Sequence, residues 1–146
     1  MMKATIFLAL LGLAAAGSFD DSITKHFVPA DEAKAKAAEA KKPLLVFITE
    51  EWCGACNNLK TQLNGGEKVK GKLDQFVVTH VSGDDSTPWK EEGHGYVPQN
   101  YFFNADGSPM DVKGPNDQYA HFFGGEDALA EAMDKAIALG NGKEEL

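Results

Sequence analysis

The sequence contains no arginine and only two cysteines, Cys53 and Cys56. All 14 basic residues are therefore lysines, set against 22 acidic residues for a net charge of −8. Nucleic-acid binding needs clustered positive charge against phosphate, and this chain does not supply it. Anionic membranes are disfavoured for the same reason. Long hydrophobic runs are scarce too: the one from Ile6 to Ala16 is shorter than the roughly 18 residues that cross a bilayer. A zinc site calls for four ligands, usually two cysteine pairs. Here there is one pair and four scattered histidines, His26, His80, His94 and His121. No internal repeat is evident.

What the chain does hold is enough apolar residue, 43% of 146, for one domain with a proper core. Residues 1–17 read as a secretory signal peptide: Lys3 in the n-region, the apolar run to Ala16, then small residues at the cleavage point. Passage into the secretory pathway puts both cysteines in an oxidising compartment, with no membrane insertion once the signal is removed. The last four residues, Lys143 to Leu146, read KEEL and resemble the signal by which a retrieval receptor returns soluble proteins to the endoplasmic reticulum. The two addresses are independent and consistent, and predict a luminal protein.

Between them, residues 18–29 are expected to be an irregular lead-in, residues 30–140 the folded domain, and residues 141–146 an exposed tail. Residues 30–42, rich in Ala, Glu and Lys, predict a helix with Asp31 and Glu32 near its start and Lys41 and Lys42 near its end, as the helix dipole favours. Pro43 stops it. Leu44 to Thr49 is a continuous apolar run, which suits a strand covered on both faces. Apolar residues then turn to helical spacing through Cys56, Leu59 and Leu63. A second strand is expected over Phe76 to Gly83, followed by a polar loop. Next comes a hairpin with strands Asn100 to Phe103 and Met110 to Lys113 about a turn at Ala105-Asp106-Gly107. Residues 126–139 form an amphipathic closing helix ended by Gly140. This order predicts an α/β fold, a central mixed sheet with helices on both faces.

Cys53 thus sits where a strand passes into a helix. Thiol–disulfide exchange requires a thiolate, and a helix N-terminus favours that anion through its dipole and free N–H groups. Two intervening residues put Cys56 within one helical turn, so Cys53 is the candidate nucleophile and Cys56 the resolving thiol. Gly54 and Ala55 are small and leave the first sulfur accessible; Trp52 offers an apolar platform beside it. A purely structural disulfide and half a metal site are the alternatives. The first is weakened because so short a loop removes little chain entropy.

WCGAC after an apolar strand, with Tyr96-Val97-Pro98 just before another strand, resembles the thioredoxin superfamily. KPLLVFITEEWCGACNNLK, GYVPQNYFFNADGSP, the two helices and the KEEL end are similar to a small single-domain endoplasmic reticulum group, thioredoxin domain-containing protein 12 and the anterior gradient proteins. The resemblance implies a thioredoxin-like fold, a cis Pro98 facing the cysteines, and a luminal protein thiol–disulfide oxidoreductase needing no cofactor beyond its own disulfide. Its partners would be secretory clients, bound at Trp52, Gly54, Ala55, Val97 and Pro98. The chain also departs from the wider superfamily. The buried carboxylate common six residues before the first cysteine is Phe47 here, and no arginine is available to approach Cys56. Glu50 and Glu51, expected to be exposed, stand where they would oppose a Cys53 thiolate. His80 is a candidate proton relay. A non-catalytic client-binding protein and a secreted redox effector are the competing functions, and the motif does not set the direction of exchange.

Overall fold

The computed structural model describes residues 18–91, 93 and 95–145, with side chains of that last stretch described to residue 142. The expected signal peptide and Leu146 lie outside the described residues, and of Lys143 to Glu145 in the KEEL end only the backbone is described. In chain order the elements are α1 (Asp21–Thr24), α2 (Ala30–Ala40), β1 (Leu44–Ile48), α3 (Gly54–Gly65), a 3₁₀ turn (Lys70–Gln75), β2 (Val77–Val81), a second (Gly83–Trp89), β3 (Gln99–Phe103), a third (Asp117–Tyr119) and α4 (Glu126–Glu145).

β1 is central in a three-stranded sheet of order β2-β1-β3, parallel to β2 and antiparallel to β3. All five of its residues are buried, which is why the run is apolar without alternation. Leu45 and Phe47 enter one core with Leu59 and Leu63 of α3 and Leu129 and Met133 of α4. Leu44, Val46 and Ile48 enter the other with Ala33 and Ala37 of α2. Helices thus cover both faces, as the element order predicts.

Four boundaries differ from the sequence reading. α2 ends at Ala40 because Lys41 takes a left-handed φ of 57°, which turns the chain into Pro43 two residues early. The hairpin's return strand is reduced to a bridge between Phe103 and Pro109 flanked by two hydrogen bonds, Met110 N–H to the Phe102 carbonyl at 2.9 Å and Asn104 N–H to the Ser108 carbonyl at 2.8 Å. Pro109 has no N–H with which to extend a ladder. Gly140 does not end α4, which continues to Glu145: a glycine stops a helix by adopting positive φ, and Gly140 does not. The polar stretch after β2 contains the Gly83–Trp89 turn.

Residues 18–29 are more than a lead-in. Phe19 and Ile23 are buried in the α3-side core, Phe27 forms a parallel bridge to Val78, and the Val28 N–H donates to the Val78 carbonyl at 2.8 Å. The aromatic residues of this segment cover the outer edge of β2.

Candidate active site

The chain leaves β1 through Thr49, Glu50, Glu51 and Trp52 and opens α3 with Cys53 as its N-cap. Cys53 has extended backbone angles, φ −88° and ψ 113°, and its sulfur accepts the Cys56 backbone N–H at 3.1 Å. The first turn of any helix has N–H groups without intrahelical partners, normally met by a side-chain oxygen. Here a sulfur meets one, so charge developing on Cys53 faces a donor already in place. Both residues are free thiols. Cys53 is 6% exposed and Cys56 not at all, so the little access there is belongs to the sulfur assigned as nucleophile.

The Cys53 thiol donates to the Val97 carbonyl at 3.6 Å, and the Val97–Pro98 peptide is cis, as the resemblance implies. The structure therefore gathers Cys53, Cys56, Val97 and Pro98 into one place. Trp52 stands beside them 78% exposed, and Gly54 and Ala55 are exposed on the first turn of α3. Burial, followed by the Cys53 side chain, pushes the Cys56 thiol up to about 12, while the Glu50 backbone and the charge of Lys60 pull the other way. Cys56 is a protonated thiol at neutral pH.

The two glutamates divide. Glu51 is exposed, as expected, but Glu50 is half-buried and its carboxylate accepts the Gly83 N–H at 2.7 Å. That bond ties the end of β1 to the turn after β2. His80 packs its ring at 5.3 Å from Phe19 and 5.5 Å from Phe27, with Nε2 2.7 Å from the Thr49 hydroxyl. Burial and then the Lys60 charge depress its pKa to about 4, with Glu50 opposing. It is a neutral imidazole at neutral pH. Among the described residues no three His, Cys, Asp or Glu side chains gather so as to hold a metal ion.

Two features escaped the sequence reading. Lys60 is only 5% exposed and lies one turn beyond Cys56. The signal was available: positions 56, 59, 60 and 63 form one helical face, so a lysine interrupts an otherwise apolar stripe. The second is a network around Pro98. The Gln99 amide donates to the Tyr96 carbonyl at 2.6 Å, the Tyr101 hydroxyl donates to Gln99, and the His121 N–H donates to the Tyr96 hydroxyl at 2.9 Å. His121 stacks on Tyr101 with centroids 4.1 Å apart. These contacts hold the residues on either side of Pro98.

Two solved structures share this architecture. A DsbH oxidoreductase superposes with a TM-score of 0.56 at 17% identity, over 77% of this chain and 84% of that one. A disulphide isomerase from Xylella fastidiosa Temecula1 gives a TM-score of 0.50 at 21% identity, over 82% and 92%. At such identities the likeness is one of fold. The family model described as thioredoxin-like matches residues 27–105, more than half of the sequence, from the Phe27 bridge through both cysteines and Pro98 to the end of β3. With the mixed sheet, the cysteine-capped helix and the cis proline opposite it, the chain belongs to the thioredoxin-like family.

Proposed function

We propose that this protein is a thiol–disulfide oxidoreductase acting on secretory proteins in the lumen of the endoplasmic reticulum, akin to the group of thioredoxin domain-containing protein 12 and the anterior gradient proteins. The observation that carries the proposal is the Cys53 sulfur, capped by the Cys56 N–H at 3.1 Å and facing the Val97 carbonyl at 3.6 Å. In the reducing direction a Cys53 thiolate attacks a client disulfide. One client sulfur leaves with the electron pair of the broken bond, and Cys53 is left joined to the other. Cys56 then attacks Cys53, the protein disulfide forms, and the second client sulfur leaves as a thiolate that takes up a proton. Run backwards, the same steps pass the Cys53–Cys56 disulfide to client thiols.

An extended client segment would lie along Val97 and Pro98 in the manner of strand addition, with Trp52, Gly54 and Ala55 forming the opposite wall. The luminal site rests on the sequence of residues 1–17 and of Lys143 to Leu146, which would engage the retrieval receptor.

The test is Cys56→Ala in secreting cells. Cys53 is expected to accumulate in mixed disulfides with secretory proteins, because nothing resolves them. If none accumulate while client association survives loss of both cysteines, the protein binds clients without exchange. Deleting Lys143 to Leu146 should send the protein into the medium; undiminished retention would remove the proposed address.

A further inference from the structure

We propose that Lys60 is the positioning cation of this site, set behind Cys56 to stabilise its thiolate when the mixed disulfide resolves. The inference rests on the exchange reading above and concerns its second half.

A lysine is almost never this buried unless its charge is paired. Lys60 is 5% exposed and no carboxylate among the described residues pairs with it. Its Nζ lies 5.5 Å from the centroid of the Phe19 ring. It lines a cavity of about 290 Å³ with Phe19, Thr49, Glu51, His80 and Ser82. At four residues past Cys56, it shares the inward face of α3.

Every other ionisable group facing this region is otherwise disposed. Cys53 caps the helix and points at Val97. Glu50 is held by the Gly83 N–H, and Glu51 is exposed. His80 on β2 is kept neutral by burial and by Lys60 itself. Among the described residues Lys60 is thus the one lysine lining the cavity. The carboxylate position of the wider superfamily is Phe47, so no buried acid on β1 competes for it.

The resolving step then runs as follows. The Cys56 thiol loses its proton to water, and the resulting thiolate forms a bond to Cys53 Sγ. The bond between Cys53 and the client sulfur breaks, and that sulfur departs with the electron pair and is protonated. Lys60 neither gains nor loses a bond. Its charge lowers the cost of the anion, in line with its downward pull on the Cys56 thiol.

The experiment uses reduced protein and the neutral disulfide 4,4′-dithiodipyridine, which releases one thiopyridone when Cys53 attacks and a second when Cys56 resolves. Lys60→Met and Lys60→Gln should slow the second release by about threefold or more. One pK unit costs tenfold in thiolate fraction and returns roughly threefold in nucleophilicity. The first release should stay within about twofold, and Lys60→Arg should restore the second. A folded neutral variant with an unchanged second release overturns the role of Lys60 alone; a wild-type protein that never gives a second release overturns the exchange reading. Should neither neutral variant fold, the wild-type Lys60 Cε resonance decides. It should respond to pH differently in reduced and oxidised protein, because coupling between two sites is reciprocal, and identical responses overturn the proposal.

Discussion

Phe47 and His80 are register partners across the parallel β1–β2 pair, and Asn100 of β3 faces Phe47 from the other side. This row crosses the sheet at the position where the superfamily resemblance leads one to expect a buried carboxylate. Phe19 and Phe27 close over it, with centroids 5.3 and 6.2 Å from the Phe47 ring. The Asn100 side-chain amide is fully buried and makes no hydrogen bond among the described residues. Phe47 thus puts an aromatic ring where the resemblance leads one to expect a carboxylate, with the polar side chains of His80 and Asn100 on the neighbouring strands.

Removing the ring at the centre of that row should be costly. Phe47→Ala is expected to lower stability by about 3–5 kcal/mol, the usual loss for a buried phenylalanine, in urea unfolding at neutral pH. Phe47→Asp should cost at least as much, since a carboxylate there is desolvated against the Phe19 and Phe27 rings. An aspartate variant as stable as the wild type would contradict the packing described.

His80 makes stability depend on pH in a definite sense. Its folded pKa of about 4 lies below the ordinary 6.5, so the unfolded chain binds the proton more tightly. Stability therefore rises with pH between about 4 and 6.5 and gains nothing from this group above that window. The full span corresponds to roughly 3 kcal/mol. His80→Gln should flatten the wild-type curve by a comparable amount when unfolding is measured from pH 4 to 7; parallel curves would exclude His80 as the source.

Trp52 is so exposed, at 78%, that Trp52→Ala should change stability by no more than about 0.5 kcal/mol. Exchange with a disulfide-bonded protein client should slow severalfold while exchange with a small neutral disulfide does not. Equal slowing of both would place Trp52 in the support of Cys53 instead of at the client surface.

Gly114 lies where the chain returns towards α4. Its N–H donates to the Ala120 carbonyl at 2.6 Å, and a Cβ added there would stand 2.4 Å from the Phe122 carbonyl oxygen. Backbone cannot swing away as a side chain can, so Gly114→Ala should cost about 1–3 kcal/mol in thermal or urea unfolding.

Much of the fold was legible because its signals are local. An unbroken apolar run such as Leu44 to Ile48 can only be satisfied at the centre of a covered sheet, and the spacing of Cys56, Leu59 and Leu63 admits a helix. The lead-in is less legible because Phe19, Ile23 and Phe27, spaced four apart, lie on a segment of which only Asp21–Thr24 is helical, and Phe27 is fixed by a bridge to Val78 that no local pattern announces. Phe19 and Phe27 pack on each other and on Phe47 and His80, contacts that bring distant parts of the chain together. The return strand expected over Met110 to Lys113 is less legible because the pairing that does form is centred on Pro109, whose missing N–H cannot carry a ladder onward.

By itself, the amino-acid sequence determined which chemistry this protein can host: two thiols one helical turn apart, at the junction of a buried strand and a helix, with no arginine to serve them. Tertiary structure alone decided how those thiols differ. Burial holds Cys56 protonated, the Val97 carbonyl meets Cys53, and Lys60 and His80 come together from α3 and β2 beneath Phe19. None of these relations is local in the chain. They depend on desolvation and on distances between elements, and neither exists until the sheet and its helices have packed.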